Sequence, residues 1–268
     1  KHPELTDIGA WRVDKTDKPW NWPSTEICLK GRKNGSYGGF YTKADIREIT
    51  AYAARRHITI VPEIEMPGHS YAALACRPDL VCEGNNVLKD GLRGKDVFCA
   101  GNEETFNFLE SVLNETIEMF PGQYIHIGGD EVPAGVWANC PKCRERMRAE
   151  KLDSTAGLQA YFTGRIAKSL ASKKRIAAAW DEAAGGGLPE GSLVTVWRGN
   201  ERAEEAAANG LDVVMCPMSP CYFNFRQSKS GDEPAADPEC NTLRSVYQFD
   251  PLPTHASVAL QKHLFGAE

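Results

Sequence analysis

Two adjacent carboxylates, Asp130 and Glu131, follow the run Tyr124-Ile125-His126-Ile127-Gly128-Gly129. Neighbouring acids can divide acid/base work, one moving a proton and the other stabilising charge, provided both reach one pocket. On a regular strand they could not, because successive side chains point to opposite faces. Gly128 and Gly129 lift that restriction by letting the backbone turn. The apolar residues before them suit a buried strand, so the sequence predicts a strand that stops at the glycines and delivers both acids to its C-terminal mouth. Taken alone, Gly-Gly-Asp-Glu reads better as a surface turn before a helix N-terminus, where acids favour the dipole. The neighbourhood decides.

The elements around the pair repeat one pattern. Thr42-Lys43-Ala44-Asp45 has the form of a capping box, and Ile46, Ile49 and Ala53 recur at helical spacing before the β-branched run Ile58 to Ile64. That run opens onto Glu65-Met66-Pro67-Gly68-His69 and an aperiodic stretch to Gly101, a length usually found in functional loops. Asn102 is placed to cap a helix whose buried face is Phe106, Leu109, Leu113 and Phe120. Leu158, Phe162, Ile166 and Leu170 mark another helix face; short strands are expected at Arg175–Trp180, Leu193–Trp197, Asp212–Cys216 and His263–Glu268, with a polar loop from Pro217 to Pro253. The first stretch, through Trp11, Trp20 and Trp22 to Gly39, reads as extended loop with a short helical turn or hairpin. Alternating strand and helix implies an α/β fold with a parallel sheet and right-handed crossovers.

Glu63, His69, Asp130, Glu131, Trp180, Asp181, Glu182, Trp197 and Tyr222 all fall at or just beyond C-terminal strand ends, where (β/α) barrels and other parallel α/β folds build their sites. Trp180, Trp197 and Tyr222 on successive units suggest an aromatic box. Such faces stack on sugar rings or acetyl methyl groups, while carboxylates act on glycosidic oxygens. His126, inside its strand, reads as a satisfied core histidine. A metal-dependent hydrolase using Glu63, Glu65, His69, His126 and Asp130 as ligands is disfavoured because these histidines lack close pairing in sequence.

Composition narrows the partners. The chain has 268 residues, 42% hydrophobic and 25% charged, with a formal net charge of -5. That balance gives no electrostatic reason for nucleic acid or an anionic membrane as partner. No apolar run reaches the length of a membrane span, and the N-terminus has no signal-peptide character. Nine cysteines, an odd number, leave at least one thiol unpaired within the chain. Cys140-Pro141-Lys142-Cys143 is the lone CxxC; with no second CxxC or HxxxH beside it, it reads as the start of a helix, not as zinc ligands. Cys82 and Cys99 bracket a Gly-rich loop and could bridge. No metal and no cofactor are expected.

The run His126-Ile127-Gly128-Gly129-Asp130-Glu131 resembles the signature of the β-N-acetylhexosaminidases of glycoside hydrolase family 20. Supporting blocks in the same order are Leu5 to Arg12, Gly38 to Thr42, Val61 to His69, Gly101 to Thr105, Trp180-Asp181-Glu182 and Tyr222-Phe223. The resemblance implies a (β/α)8 TIM-barrel type fold and retaining hydrolysis of terminal β-linked GlcNAc or GalNAc, from glycans or chitooligosaccharides. In that scheme the substrate's 2-acetamido oxygen is the nucleophile, an exception to the two-carboxylate mechanism. By the match Glu131 is the general acid, Asp130 orients the acetamido group, and Tyr222 donates to its oxygen. Trp180 and Trp197 wall the N-acetyl pocket, and His69 belongs to a relay near the acid. Asn224 stands where the family usually has a hydroxyl-binding Asp, and Glu65 where it usually has Asp. The family barrel also carries two earlier strands and a later Trp-x-Glu element, so about six of eight units are expected here, as a partial catalytic barrel spanning 1–268. The expectation follows that the isolated chain is weak or inactive, and that it is either a fragment of a longer protein or is completed by a second copy or a complementing segment; the alternative reading is a catalytically impaired sugar-binding barrel or a fragment of such an enzyme. The resemblance and the cysteine content imply an exported protein.

Overall fold

The computed structural model describes residues 1–13, 27–28, 36–85, 95–233 and 236–268. Its centre is a parallel sheet of five strands, β1 (Tyr124–His126), β2 (Ile176–Trp180), β3 (Leu193–Val196), β4 (Asp212–Met215) and β5 (Leu264–Ala267), hydrogen-bonded in that order. The predicted strand at 58–64 is less regular than its composition suggests. It meets β1 through a single parallel bridge, Glu63 to His126, with Ile64 N–H donating to His126 C=O and His126 N–H to Pro62 C=O. Pro62 has no N–H for a ladder, which is one reason the pairing stays short. Six parallel segments therefore run side by side. Among the described residues the outer ones each leave one side unpaired, and Ile58, Val61 and Phe265 are exposed there.

Helices fill the crossovers. Thr42 and Asp45 close a reciprocal capping box on α1 (Lys43–Ala54). Asn102 caps α2 (Glu103–Met119) by accepting from Glu104 N–H, and Phe106, Leu109 and Leu113 are buried on its inner face. Phe120 is the C-cap, only half-buried. The four-residue spacing of Leu158, Phe162, Ile166 and Leu170 puts all four in the core from α3 (Thr155–Ser172). The alanine-rich α4 (Asn200–Ala208) lays Ala203, Ala206 and Ala207 against Val194, Val196 and Val213, a smaller second cluster that Leu260 of α5 (Val258–His263) completes. Small side chains let this helix lie close to the sheet.

Two stretches, after Met66 and from Pro217 to Pro253, carry more structure than the sequence predicts, while the N-terminal stretch is in line with the helical turn or hairpin expected of it. The N-terminal stretch forms a helical turn, Glu4–Asp7, and an antiparallel ladder of Trp11–Val13 with Ser36–Gly38; Trp20 and Trp22 lie outside the described residues. The segment after Met66 holds helix Tyr71–Cys76 and a tight turn at Pro78–Leu80. The loop from Pro217 to Pro253 contains helices Met218–Cys221 and Leu243–Tyr247 and a two-stranded pairing of Phe225–Arg226 with Asp237–Cys240. Each of these elements is too short to show an apolar period that would announce it.

Candidate active site

At the C-terminal end of β1 the chain turns as the glycine pair requires. Gly128 and Gly129 have φ of +67° and +105°, and Glu131 itself is left-handed at +47°, an uncommon state for a side-chain-bearing residue. A Cβ at Gly128 would overlap the Glu65 carboxyl. Gly129 N–H donates to Glu65 Oε1 at 2.9 Å, and its carbonyl accepts from Gln159 Nε2 at 2.8 Å. The turn is thus fixed from both sides. Gln159, on α3, had no signal in the sequence: a lone glutamine on a helix announces nothing.

The turn brings both acids to one imidazole. His69 Nε2 lies 3.3 Å from Asp130 Oδ2 and 3.4 Å from Glu131 Oε2. Their environments differ: the Glu131 side chain is 61% exposed and that of Asp130 22%. The hydrogen bond to Asp130 lifts His69 to about 9, against the opposing pull of burial. Burial pushes the Asp130 carboxyl up, yet the bond and charge of His69 outweigh it and hold it below the ordinary aspartate value. Asp130 Oδ1 is buried and accepts no hydrogen bond from an N–H or hydroxyl among the described residues. Glu65 behind them is raised well above the ordinary glutamate range, first by burial and then by the Asp130 charge.

A second network lines the sheet beside it. Glu63 Oε1 accepts from Trp180 Nε1 at 2.9 Å and lies 3.1 Å from His126 Nδ1; that contact with His126, more than any other, lowers the Glu63 carboxyl. His126 is buried, its Nε2 2.9 Å from Thr195 Oγ1 and its ring edge-on to Trp180 at 5.1 Å between centroids. Trp197 Nε1 donates to Glu182 Oε2 at 3.2 Å, so both indoles are pinned by carboxylates. Tyr222 is half-buried, and burial followed by the charges of Cys216, Asp130, Asp181 and Glu182 raises its phenol. Asn224 is exposed on the loop beyond it.

The structure therefore brings His69, Asp130 and Glu131 into direct contact, places Trp180, Trp197 and Tyr222 around the same strand ends, and leaves Asn224 at the periphery. The five residues weighed as metal ligands divide: Glu63 pairs with His126, and His69 with Asp130, while Glu65 serves Gly129. Sequence reasoning missed Gln159, Thr195 and Arg198, whose roles depend on contacts between distant segments.

Known proteins share this arrangement of chain. A β-hexosaminidase of Porphyromonas gingivalis is 37% identical over 272 residues, covering 100% of this chain and 35% of that protein. One from Vibrio furnissii is 35% identical, covering 99% of this chain and 43% of the relative. The crystal structure of a GH20 exo β-N-acetylglucosaminidase from Vibrio harveyi, in complex with N-acetylglucosamine, superposes with a TM-score of 0.83 at 30% identity, covering 99% of this chain and 41% of the other. The chain thus spans less than half the length of these relatives. That likeness makes its parallel sheet part of a TIM-barrel catalytic domain, and the pattern described as "Glycosyl hydrolase family 20, catalytic domain" matches residues 1–268. The chain belongs to glycosyl hydrolase family 20.

Proposed function

We propose that residues 1–268 are a catalytic barrel portion of a β-N-acetylhexosaminidase that removes terminal, non-reducing β-linked GlcNAc or GalNAc from glycans or chitooligosaccharides with retention of configuration. The observation that carries this reading is the pair of unlike carboxylates on one imidazole: an exposed Glu131 and a half-buried Asp130, both within hydrogen-bonding reach of His69 Nε2. Glu131 protonates the leaving oxygen and later takes a proton from the attacking water. Asp130, kept anionic by His69, accepts the acetamido N–H and balances the positive charge that develops on the acetamido group as its oxygen bonds to the anomeric carbon. Tyr222, whose phenol holds its proton, donates to the acetamido oxygen. Trp180 and Trp197 confine the acetyl group and keep water from the nucleophile. Asn224 receives sugar hydroxyls. No metal or cofactor enters the scheme.

The unpaired sides beside Ile58 and Phe265 are where further barrel strands would pack, supplied by a longer form of this chain or by a second copy. Among the described residues no helix is long and apolar enough to cross a membrane. Export is part of the same reading and is tested by fractionating the source cells. The activity test is chromophore release from aryl β-GlcNAc and aryl β-GalNAc by wild type and Glu131→Gln, with the oligomeric state measured beside it. Weak turnover by wild type and its loss in the variant is the expected result, and full-rate hydrolysis by a monomer would show that the six units suffice alone. A folded wild type that binds GlcNAc without turnover would instead make the chain an impaired, sugar-binding barrel.

A further inference from the structure

Away from the carboxylates, four cysteines from three separate segments meet in the core. Cys82 follows the tight turn Pro78–Leu80, Cys99 precedes α2, and Cys140 and Cys143 frame the first turn of helix Pro141–Ala149. Each residue is at most 2% exposed. Their four Sγ atoms all lie within 4.8 Å of one another. Three separations are 3.8 Å (Cys82–Cys143), 3.8 Å (Cys99–Cys140) and 3.7 Å (Cys99–Cys143). A disulfide needs sulfurs at about 2.05 Å. A tetrahedral ion with metal–sulfur bonds of about 2.3 Å puts neighbouring sulfurs about 3.8 Å apart, along the edges of the tetrahedron. The measured separations fit that edge.

The surroundings are built for close approach. A Cβ on Gly101 would run into the backbone of Lys142 and Cys143, so only glycine lets the Cys99 segment lie against the CxxC turn. Cys99 N–H donates to Leu80 C=O at 2.9 Å, tying the Cys82 and Cys99 segments together. We propose that Cys82, Cys99, Cys140 and Cys143 hold one zinc ion as a closed tetrathiolate centre. With all four positions taken by sulfur and none left for water, the ion is structural. It fastens the segment that follows His69 to the segment that follows Glu131. Phe98 N–H donates to Pro67 C=O at 2.9 Å, Phe98 C=O accepts from Trp137 Nε1 at 2.9 Å, and Ser70 N–H donates to Asp96 C=O at 3.3 Å. The centre therefore sits one short relay behind the loop that presents His69, and acts on the site by positioning it.

The test is metal analysis of the 268-residue chain purified without chelator or added metal. One zinc per chain is expected, with X-ray absorption showing four sulfur neighbours at about 2.3 Å. Cys82→Ser and Cys143→Ser each lose the zinc, and Cys76→Ser keeps it. Because the serine variants can fail to fold, the wild-type protein is also unfolded without reductant, with chelator and iodoacetamide. Alkylation of all four cysteines supports the proposal. Resistance of the four to alkylation, showing two disulfides, would overturn it. So would four free thiols with no metal in the folded protein, or stoichiometric iron with its visible absorption, since an all-sulfur tetrahedron also suits iron.

Discussion

Two acid pairs follow neighbouring parallel strands, Asp130-Glu131 after β1 and Asp181-Glu182 after β2, and they have become different things. Asp181 has no exposed side-chain surface and lies 3.2 Å from Arg198 Nε, while Glu182 holds the Trp197 indole. Asp130 and Glu131 face one histidine, and Glu131 is open to solvent. Burial and the Glu182 carboxylate raise Asp181, and Arg198 pulls it back. Adjacent acids at a strand end are thus not a function in themselves. The backbone before them decides: two left-handed glycines swing the first pair into the mouth, whereas the second pair begins a tight turn, Asp181–Gly185, that tucks its aspartate inward.

Exchanging charge for amide at the first pair breaks the comparison most directly. Glu131→Gln should cost about 10²- to 10⁴-fold in turnover of an aryl β-GlcNAc, the range of a general acid. Its effect on stability should stay within about 0.5 kcal/mol, as for other exposed side chains. Asp130→Asn should cost about 10²- to 10³-fold, the range for a group that stabilises developing charge. Loss of both activity and fold in Glu131→Gln would show that the first pair is as structural as the second.

Asp181→Ala is the converse. It leaves Arg198 without its buried partner, but the Arg198 side chain is 33% exposed and can turn to water. A loss of about 1–3 kcal/mol in denaturant unfolding is expected, below the usual cost of halving a fully buried pair. Turnover per folded molecule should change only several-fold, through Trp197. A loss as large as that of Glu131→Gln, in protein of normal stability, would move the second pair into the chemistry.

Protonation separates the pairs more gently. Folding raises His69 from near 6.5 to about 9, so its contribution to stability is fully present below the unfolded value and is lost as pH rises through about 9. Activity should fall around pH 9, where the folded His69 gives up its proton and Asp130 loses its cationic neighbour. In His69→Gln that alkaline limb should vanish, while an acid-side decline remains. An unchanged alkaline limb in the variant would assign it to another group.

Much of this was legible in the sequence because it is periodic or local. Leu158, Phe162, Ile166 and Leu170 announce one helix face, and Thr42 with Asp45 announces the start of another helix. The glycines between His126 and Asp130 announce a turn that brings both acids to one mouth. The six strand positions follow from short apolar runs, though Pro62 weakens the ladder that the run at 58–64 promised. What stayed hidden depends on distance in three dimensions. Cys82 and Cys99 have no spacing relation to Cys140 and Cys143, so the CxxC read as a lone helix start until the fold gathered all four. Gln159 and Thr195 have ordinary places on a helix and a strand, and their value lies in what they touch. The elements between Pro217 and Pro253 are too short to show a period.

The smallest effect is expected at Glu65, and it discriminates most finely between a carboxylate that reacts and one that supports. Burial and the adjacent Asp130 charge raise this carboxyl far enough that it carries its proton at neutral pH. Its task is then to accept from Gly129 N–H, at 2.9 Å, and to fill the space that Gly128 leaves free. Glutamine has the same shape, the same acceptor oxygen and no charge, so Glu65→Gln should alter turnover by no more than several-fold. A carboxyl with a raised folded value is penalised as pH climbs above its unfolded value, since the chain must then either bury a charge or retain a proton that the unfolded state gives up. Glu65→Gln removes that penalty, and its stability relative to wild type should improve from pH 4 to pH 8 in denaturant unfolding. Glu65→Asp keeps the charge problem but withdraws the oxygen from Gly129, and should be the more harmful change in both turnover and stability. If glutamine proved as damaging as Glu131→Gln, Glu65 would have to be an anion that takes part in the reaction, and the division between the exposed acid and its supports would have to be redrawn around it.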